Sequence, residues 1–270
     1  MTTPRFDGSE VTAALGEATA TFLGSGAFGD TWRVDDRAIK IICVDGYPPV
    51  RVAREVAGLS LAEFEAPTSF NFSILEPWCW AARAFLRSCS SILQQAIDRG
   101  ARPSAAEAAA RLGGLLVGID ALHGADGTVH RDIKPANIAL RNGLWDEPVL
   151  LGLGLARSNT ETTVTMYPGL IGTTAFMAPE QLRGQRARKA ADLFAISVSV
   201  RAAIVGRHPF YEPGSNYTID EAIAKIDAGP KALPPKISEP VRQTLDRLVR
   251  PAEYERGSAT SNLRRLERTP

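Results

Sequence analysis

One short segment constrains this chain more than any other feature of its sequence. Residues 130–137 read HRDIKPAN, which sets a histidine, an arginine, an aspartate, a lysine and an asparagine at fixed spacing. Five specified polar positions rarely coincide by chance. The segment brings a carboxylate, two cations and an amide together, so it is the strongest candidate in this sequence for a functional site.

The pattern along the chain predicts two regions that differ in secondary structure. From about Val11 to Ser88, short β-rich runs such as AIKII at 38–42 alternate with turn residues, and one short helix is expected at 50–61. From Ser91 onward, segments of helical length dominate, at about 104–122, 190–205, 218–228 and 238–250. A strand-rich part before a helical part predicts an α+β fold.

The segment GSGAFG at residues 24–29 fits the spacing G-x-G-x-x-G. Glycine lets a backbone approach phosphate groups closely, because no Cβ intervenes and positive φ costs little. The signal is weak alone, since any tight β-turn can produce it. A dinucleotide-binding fold requires a helix directly after the glycines, whereas TWRV at residues 31–34 predicts a strand. That interpretation is therefore disfavoured.

Lys40 and Glu55 form a second pair of candidates. Lys40 lies in an apolar strand-like run, where an ammonium is costly to bury unless it meets an anion. An isolated lysine of this kind more often lies on an edge strand and points to water. Glu55, on the short predicted helix, is a candidate partner, although most helix carboxylates are simply solvated. The residues alone leave both alternatives open.

The segment 130–137 closely matches the H-R-D-x-K-x-x-N catalytic loop, and on it the chain resembles the eukaryotic-type (Hanks-type) serine/threonine protein kinase catalytic domain. Further landmarks follow in the order of that family: Gly172-Thr173, Ala178-Pro179-Glu180, Asp192 and Arg256. The resemblance covers about residues 20–266. It implies a bilobal fold, with a small β-rich N-lobe at 11–88 and a larger helical C-lobe at 89–268.

The landmarks outside the catalytic loop have structural roles in the family. The resemblance implies that Asp192 braces the catalytic loop from a buried helix and that Arg256 pairs with Glu180. It also implies that residues 158–174 form an activation loop, in which phosphorylated threonines can order the segment. Thr173 is expected to hydrogen-bond toward the catalytic loop.

The resemblance breaks at one chemically important position. The family has Asp-Phe-Gly on a strand end, whereas residues 149–157 read VLLGLGLAR, with the register set by the apolar strand and the trailing GLAR. Leu153 in place of phenylalanine is a mild change, because both fill an apolar slot. Gly152 in place of aspartate removes the carboxylate that would hold Mg²⁺ across the β- and γ-phosphates. The adjacent residues are leucines and cannot replace it.

The resemblance implies ATP and a weakened Mg²⁺ as cofactors, with roles for individual residues. Asp132 accepts or orients the proton of the substrate hydroxyl, Lys134 neutralises charge near the γ-phosphate, and Asn137 binds one magnesium ion. Lys40 contacts the α- and β-phosphates while Glu55 orients it. The other nucleotide-binding positions are the backbone of the glycine-rich segment and one residue near the adenine: Gly24, Ser25, Gly26, Ala27, Phe28, Gly29 and Ala38.

The composition limits the partners. With 31 basic and 30 acidic residues the net charge is +1, which gives no electrostatic reason to expect nucleic acid or an anionic membrane. Three cysteines fit neither a disulfide framework nor a metal knuckle, so a reducing, cytoplasmic location is expected. No apolar run approaches the roughly 20 residues of a membrane helix. The expected partners are ATP and a protein substrate or partner.

Three functions are compatible with these residues. The first is a serine/threonine kinase that transfers the ATP γ-phosphate to protein hydroxyls and is strongly impaired by Gly152. The second is a pseudokinase that serves as a nucleotide-binding or protein-interaction scaffold. The third, a small-molecule kinase, is disfavoured because residues 172–180 build a platform for protein substrates. The first is preferred, since the other five side chains that would act in transfer are all retained.

Overall fold

The computed structural model describes residues 4, 6–15, 19–26, 29–34, 37–43, 71–75, 79–84, 89–124, 127–141, 143–151 and 174–267. The chain divides into two compact units, the first mainly within residues 1–91 and the second mainly within residues 92–270. Strands dominate the first unit and helices the second, in agreement with the predicted α+β class. We keep 11–88 and 89–268 as the proposed bounds of the two lobes.

The first unit contains a five-stranded antiparallel sheet in the order β1-β2-β3-β5-β4. Its strands are β1 (Ala20–Gly26), β2 (Gly29–Val34), β3 (Arg37–Cys43), β4 (Asn71–Leu75) and β5 (Cys79–Ala84). The glycine-rich segment joins the first two strands, since Gly26 pairs with Gly29 across the hairpin. The predicted strand after the glycines is therefore confirmed, which argues against a dinucleotide-binding fold.

Lys40 lies on a central strand of this sheet. β3 is paired on both sides, so that Lys40 lies opposite Thr31 of β2 and Ala82 of β5. Ala38 is likewise in register with residues of both neighbouring strands. The edge-strand alternative for Lys40 is thus wrong. Glu55 and the helix expected at residues 50–61 lie outside the described residues.

A helix that the sequence pattern did not predict precedes the sheet. α1 (Gly8–Leu15) occupies the start of the region where strands and turns were expected. The N–H of Ser9 donates to Asp7 Oδ1 at 2.7 Å, and the N–H of Asp7 donates to Glu10 Oε2 at 2.8 Å. Asp7 thereby caps the first turn of α1 while Glu10 accepts the Asp7 N–H, and the spacing of these two acids was the available sequence signal for this helix.

The second unit is mainly helical. Its helices are α2 (Leu93–Asp98), α3 (Ala105–Gly124), α4 (Pro179–Leu182), α5 (Lys189–Val205), α6 (Ile219–Asp227), α7 (Glu239–Leu248) and α8 (Ala259–Glu267). Apart from these helices, the chain has a three-stranded sheet in the order β6-β7-β8, which consists of β6 (Cys89–Ile92), β7 (Ile138–Arg141) and β8 (Pro148–Leu150). Single 3₁₀ turns lie at Pro135–Asn137, Thr174–Phe176 and Glu253–Glu255.

The ends of the long helices follow from local chemistry. Ser104 and Glu107 form the predicted capping box of α3, with the N–H of Ser104 donating to Glu107 Oε2 at 2.7 Å. α5 ends at Gly206, whose φ of 82° lies in the left-handed region that favours glycine. α5 is buried along almost its whole length, as its apolar sequence predicted. Within the described helices, none is both long and apolar enough to cross a membrane.

Candidate active site

The segment 130–137 forms a loop between α3 and β7. Its last three residues, Pro135–Asn137, make a 3₁₀ turn in which the N–H of Asn137 donates to the Lys134 carbonyl at 2.8 Å. The chain then enters β7, which pairs antiparallel with β8. The loop is therefore held between a long, partly buried helix and a short sheet, a rigid setting for polar side chains.

Three of the predicted site residues meet in this loop. Lys134 Nζ lies 2.9 Å from both carboxylate oxygens of Asp132. Asn137 Nδ2 donates to Asp132 Oδ2 at 2.9 Å and to the Asp132 carbonyl at 2.7 Å. The Asp132 side chain is 11% exposed and that of Lys134 is 23% exposed. The carboxylate is thus fixed by charge-assisted hydrogen bonds but still open to a substrate group.

The orientation of Asn137 bears on metal binding. Both of its hydrogen-bonded contacts involve Nδ2 and face acceptors, so the reversed amide would set an oxygen against a carbonyl and a carboxylate. The remaining atom, Oδ1, is an oxygen of the kind that Mg²⁺ takes as a ligand. In the part of the chain that the structure describes, no group of three histidine, cysteine or acidic side chains could hold a metal. Asn137 therefore fits a single ligand position.

Asp192 on α5 braces the loop, as the resemblance implied. Its side chain is 1% exposed, and its two oxygens accept the N–H groups of Arg131 and His130, each at 2.8 Å. Arg131 has a φ of 70°, an unfavourable conformation for a residue with a side chain. The buried carboxylate therefore holds strained backbone in place next to Asp132.

His123 was not predicted as a site residue. It lies in the last turn of α3, and its Nε2 donates to Asp192 Oδ2 at 2.9 Å, while Lys189 Nζ donates to the His123 carbonyl at 2.7 Å. His123 is 5% exposed, so its polar ring needs a buried partner. A histidine on the apolar side of a long helix was the only signal available, because its partner lies 69 residues away.

His130 connects the loop to the strand end that precedes Gly152. Its Nε2 donates to the Leu151 carbonyl at 3.0 Å, and the N–H of Leu151 donates to the Asn137 carbonyl at 2.8 Å. The backbone next to position 152 is therefore fastened to the loop that carries Asp132. Burial lowers the pKa of His130, against smaller opposing effects of the nearby Asp192 and Asp132 carboxylates, so the ring is neutral in the folded protein.

Acidification is expected to destabilise the protein through His130. The folded state holds the pKa of His130 below its usual 6.5. Between the folded and the unfolded pKa, the unfolded chain therefore binds a proton at His130 that the folded chain does not bind. The free energy of unfolding should fall as the pH drops below about 6.5. Urea unfolding at several pH values should show a smaller pH slope in His130→Gln than in the parent chain. Equal slopes would contradict a buried neutral His130.

Glu180 and Arg256 form the predicted ion pair. Arg256 Nη1 and Nη2 lie 2.6 Å and 2.9 Å from the two carboxylate oxygens of Glu180. Both residues are buried, with Arg256 fully enclosed. The guanidinium also lies 5.0 Å from the ring centre of Phe194 on α5. The pair joins the start of α4 to the segment between α7 and α8.

The remaining predicted positions are not assembled by the described residues. Gly24, Ser25, Gly26, Gly29, Ala38 and Lys40 lie in the first unit. Ala27, Phe28, Glu55, Gly152 and Thr173 lie outside the described residues, together with residues 158–173 of the expected activation loop. Their roles remain predictions that rest on the resemblance.

Comparison with known proteins agrees with this geometry. Residues 86–265 match the model of the protein kinase domain family, which covers more than half of the chain and all of the loop around Asp132. The match also includes Asp192, Glu180 and Arg256.

Individual relatives carry the same description. A serine/threonine-protein kinase of Streptomyces coelicolor, PkaA, is 28% identical over 264 residues, which span 90% of this chain and 48% of that protein. A probable serine/threonine-protein kinase of Thermomonospora curvata, PkwA, is 39% identical over 121 residues, 45% of this chain and 15% of that protein. The chain thus spans at most about half the length of either relative.

Proposed function

We propose that this chain transfers the γ-phosphate of ATP to hydroxyl groups of proteins, with strongly reduced efficiency because of Gly152. The chain belongs to the serine/threonine protein kinase family and has the protein kinase fold. The observation that carries this proposal is the Asp132 carboxylate, held at 2.9 Å by Lys134 and by Asn137 on a braced loop. A carboxylate fixed in this way suits phosphoryl transfer, because that reaction depends mainly on positioning the reacting groups and needs no covalent bond to the protein.

In the proposed mechanism the Asp132 carboxylate orients the substrate hydroxyl, and Lys134 supplies positive charge beside it. A substrate hydroxyl donates its hydrogen bond to Asp132 and is thereby aimed at the γ-phosphorus. The hydroxyl oxygen forms the new bond to phosphorus, the bond to the bridging oxygen breaks with its electrons leaving on ADP, and the hydroxyl proton passes to the carboxylate. Lys134, already paired with Asp132, offsets negative charge on the transferred group.

A bound magnesium ion would neutralise the β- and γ-phosphate charge. Asn137 supports one ligand to it through Oδ1, since its amide nitrogen is committed to Asp132. Gly152 offers no side chain as a second ligand. A neutral amide alone holds a hard divalent cation more weakly than a carboxylate does, so this chain is proposed to bind Mg²⁺·ATP with little benefit from the metal.

The second candidate is a pseudokinase that binds nucleotide or a protein partner without transfer. It is favoured by the same glycine, because the carboxylate lost at position 152 is the one group in the proposed mechanism that the chain lacks. It is disfavoured by the retained contacts of Asp132, Lys134 and Asn137, which a pure scaffold does not need. The two candidates differ in whether restoring an acid restores transfer.

ATP is expected to stabilise the chain, while magnesium should add little. The reason is that the glycine-rich hairpin and Lys40 are retained, whereas one metal-ligating carboxylate is missing. Bound ligand raises the melting temperature in proportion to the logarithm of its concentration over its Kd. Thermal unfolding with an ATP series, with and without Mg²⁺, measures both effects, and Lys40→Met serves as the control with weakened phosphate binding. The absence of any ATP shift would contradict the proposed nucleotide site, and a large magnesium-dependent shift would contradict the proposed weak binding of the metal.

A further inference from the structure

The turn after α5, formed by residues 206–211, contacts the 3₁₀ turn Thr174–Phe176, which precedes α4. His208 Nε2 lies 2.8 Å from the carbonyl oxygen of Ala175, although the two residues are 33 positions apart. Ala175 is the middle residue of the turn Thr174–Phe176. That turn comes directly after Gly172-Thr173 and leads into Ala178-Pro179-Glu180, so it ends the segment proposed to face the protein substrate.

The hydrogen bonds around His208 decide its protonation state. Nδ1 accepts the backbone N–H groups of Phe210 at 3.2 Å and Tyr211 at 3.1 Å, so it carries no hydrogen. Nε2 therefore carries the proton and donates it to Ala175, as a neutral imidazole requires. Burial lowers the pKa of His208 to about 4, which agrees with this neutral ring. The contact with Ala175 is thus a directed donor and not an ion pair.

The ring is also fixed by aromatic contacts. It stacks on Tyr211, with ring centres 4.5 Å apart and planes within 9°, and it makes a T-shaped contact with Phe176, with ring centres 5.3 Å apart and planes at 74°. His208 therefore touches the Thr174–Phe176 turn twice, by a hydrogen bond to one residue and a ring contact to the next. Because the ring makes two contacts with this turn, the position of the His208 backbone restricts where the turn can lie.

The backbone that carries His208 is itself rigidly held. Lys231 Nζ donates to the carbonyls of His208 at 3.3 Å and Tyr211 at 3.2 Å, and it forms an ion pair with Glu212 at 2.8 Å. Phe210 is 6% exposed and stacks on Phe194 of α5 at 5.9 Å. The fixed side of the contact is thus the turn after α5, and the residue that is positioned is Ala175.

We propose that His208 is a positioning residue for the protein substrate, which it serves by anchoring the turn Thr174–Phe176 to the turn after α5. The anchor is a property of the fold; its effect on the substrate rests on the proposed kinase function. His208 takes no part in the chemistry at Asp132. Its loss should therefore weaken the use of a protein substrate and leave ATP use and the rate of transfer from the bound complex nearly unchanged.

The anchor is tested by hydrogen exchange, which needs no activity. In the whole chain, His208→Phe keeps a ring for the aromatic contacts and removes the donor, whereas His208→Gln keeps a donor. Because the one hydrogen bond from the ring to this segment is lost, amide exchange in a peptide covering residues 174–182 should be about three- to tenfold faster in the phenylalanine variant and closer to the parent rate in the glutamine variant. The two bonds that Nδ1 accepts from Phe210 and Tyr211 are also lost, but they lie outside that peptide. A peptide from α8 serves as the reference. His208→Ala is measured in parallel, so the test does not depend on one variant folding.

The substrate role is tested in the Gly152→Asp background with a generic protein substrate. His208→Phe should raise the KM for the protein substrate several-fold, with the KM for ATP and kcat changed less than about twofold. Unchanged exchange at residues 174–182 would overturn the anchor, and equal losses in kcat and both KM values would overturn the substrate role. Faster exchange in a protein that transfers no phosphate would support the anchor while contradicting the proposed kinase function.

Discussion

Replacement of Arg256 by methionine is expected to lower the free energy of unfolding by about 3–5 kcal/mol, the usual cost of removing one partner of a buried ion pair. Methionine keeps much of the side-chain length but leaves the Glu180 carboxylate, which is 3% exposed, without its cation. Arg256 also donates to the backbone carbonyls of Ala190, Arg250 and Pro251, so three more acceptors lose a partner. Urea denaturation measures the change through the transition midpoint.

Two controls separate the ion pair from its surroundings. Glu239, a carboxylate paired with Arg242 at 3.6 Å and 67% exposed, belongs to a surface pair, so Glu239→Gln should cost well below about 1 kcal/mol. The double variant Glu180→Met/Arg256→Met should be less destabilised than the sum of the two single variants, because no charge is left buried alone. A cost of Arg256→Met similar to that of Glu239→Gln would contradict this account.

The helix ends in the second unit could be predicted from the sequence because the chemistry that sets them is local. Ser104 with Glu107 and Thr218 with Glu221 form capping boxes within three residues of chain. Gly206 ends α5 by a conformation that other residues rarely adopt. α1 carries the same kind of capping signal at Asp7 and Glu10. It was not predicted, because the helix is only eight residues long and is followed by a region whose pattern predicts strands.

The site itself was only partly predictable, for a physical reason. Asp132, Lys134 and Asn137 meet within five residues of chain, so their spacing alone brings them together. The contacts of His123 with Asp192 and of His208 with Ala175 join residues that are 69 and 33 positions apart. Such contacts depend on how α3, α5 and the turns pack, and no short pattern specifies them. Resemblance to a family supplied roles for Asp192 and Arg256, but it assigned no role to either histidine.

Restoration of an aspartate by Gly152→Asp is expected to raise phosphoryl transfer by on the order of 10² to 10³, the usual effect of one preorganised charged group, and a metal ligand can contribute more. The backbone just before position 152 is already held in place, since the Leu151 carbonyl accepts a hydrogen bond from His130 and the Leu151 N–H donates one to the Asn137 carbonyl. A carboxylate there would add the charge that the neutral Asn137 amide cannot supply. The fold should change little, because none of the described contacts of Asp132, Asp192 or Arg256 depends on a side chain at position 152.

The measurement that tests the central claim most directly is the initial rate of labelled phosphate transfer from Mg²⁺·ATP to a generic protein substrate, compared between the parent chain and Gly152→Asp. Gly152→Asn supplies a neutral side chain of the same size, and Gly152→Asp/Asp132→Asn removes the proposed proton acceptor. The account predicts a large gain only for Gly152→Asp, with the asparagine variant near the parent rate and the double variant returned to it. A Gly152→Asp protein that folds and binds Mg²⁺·ATP yet transfers no phosphate would contradict the claim and leave the pseudokinase function in its place.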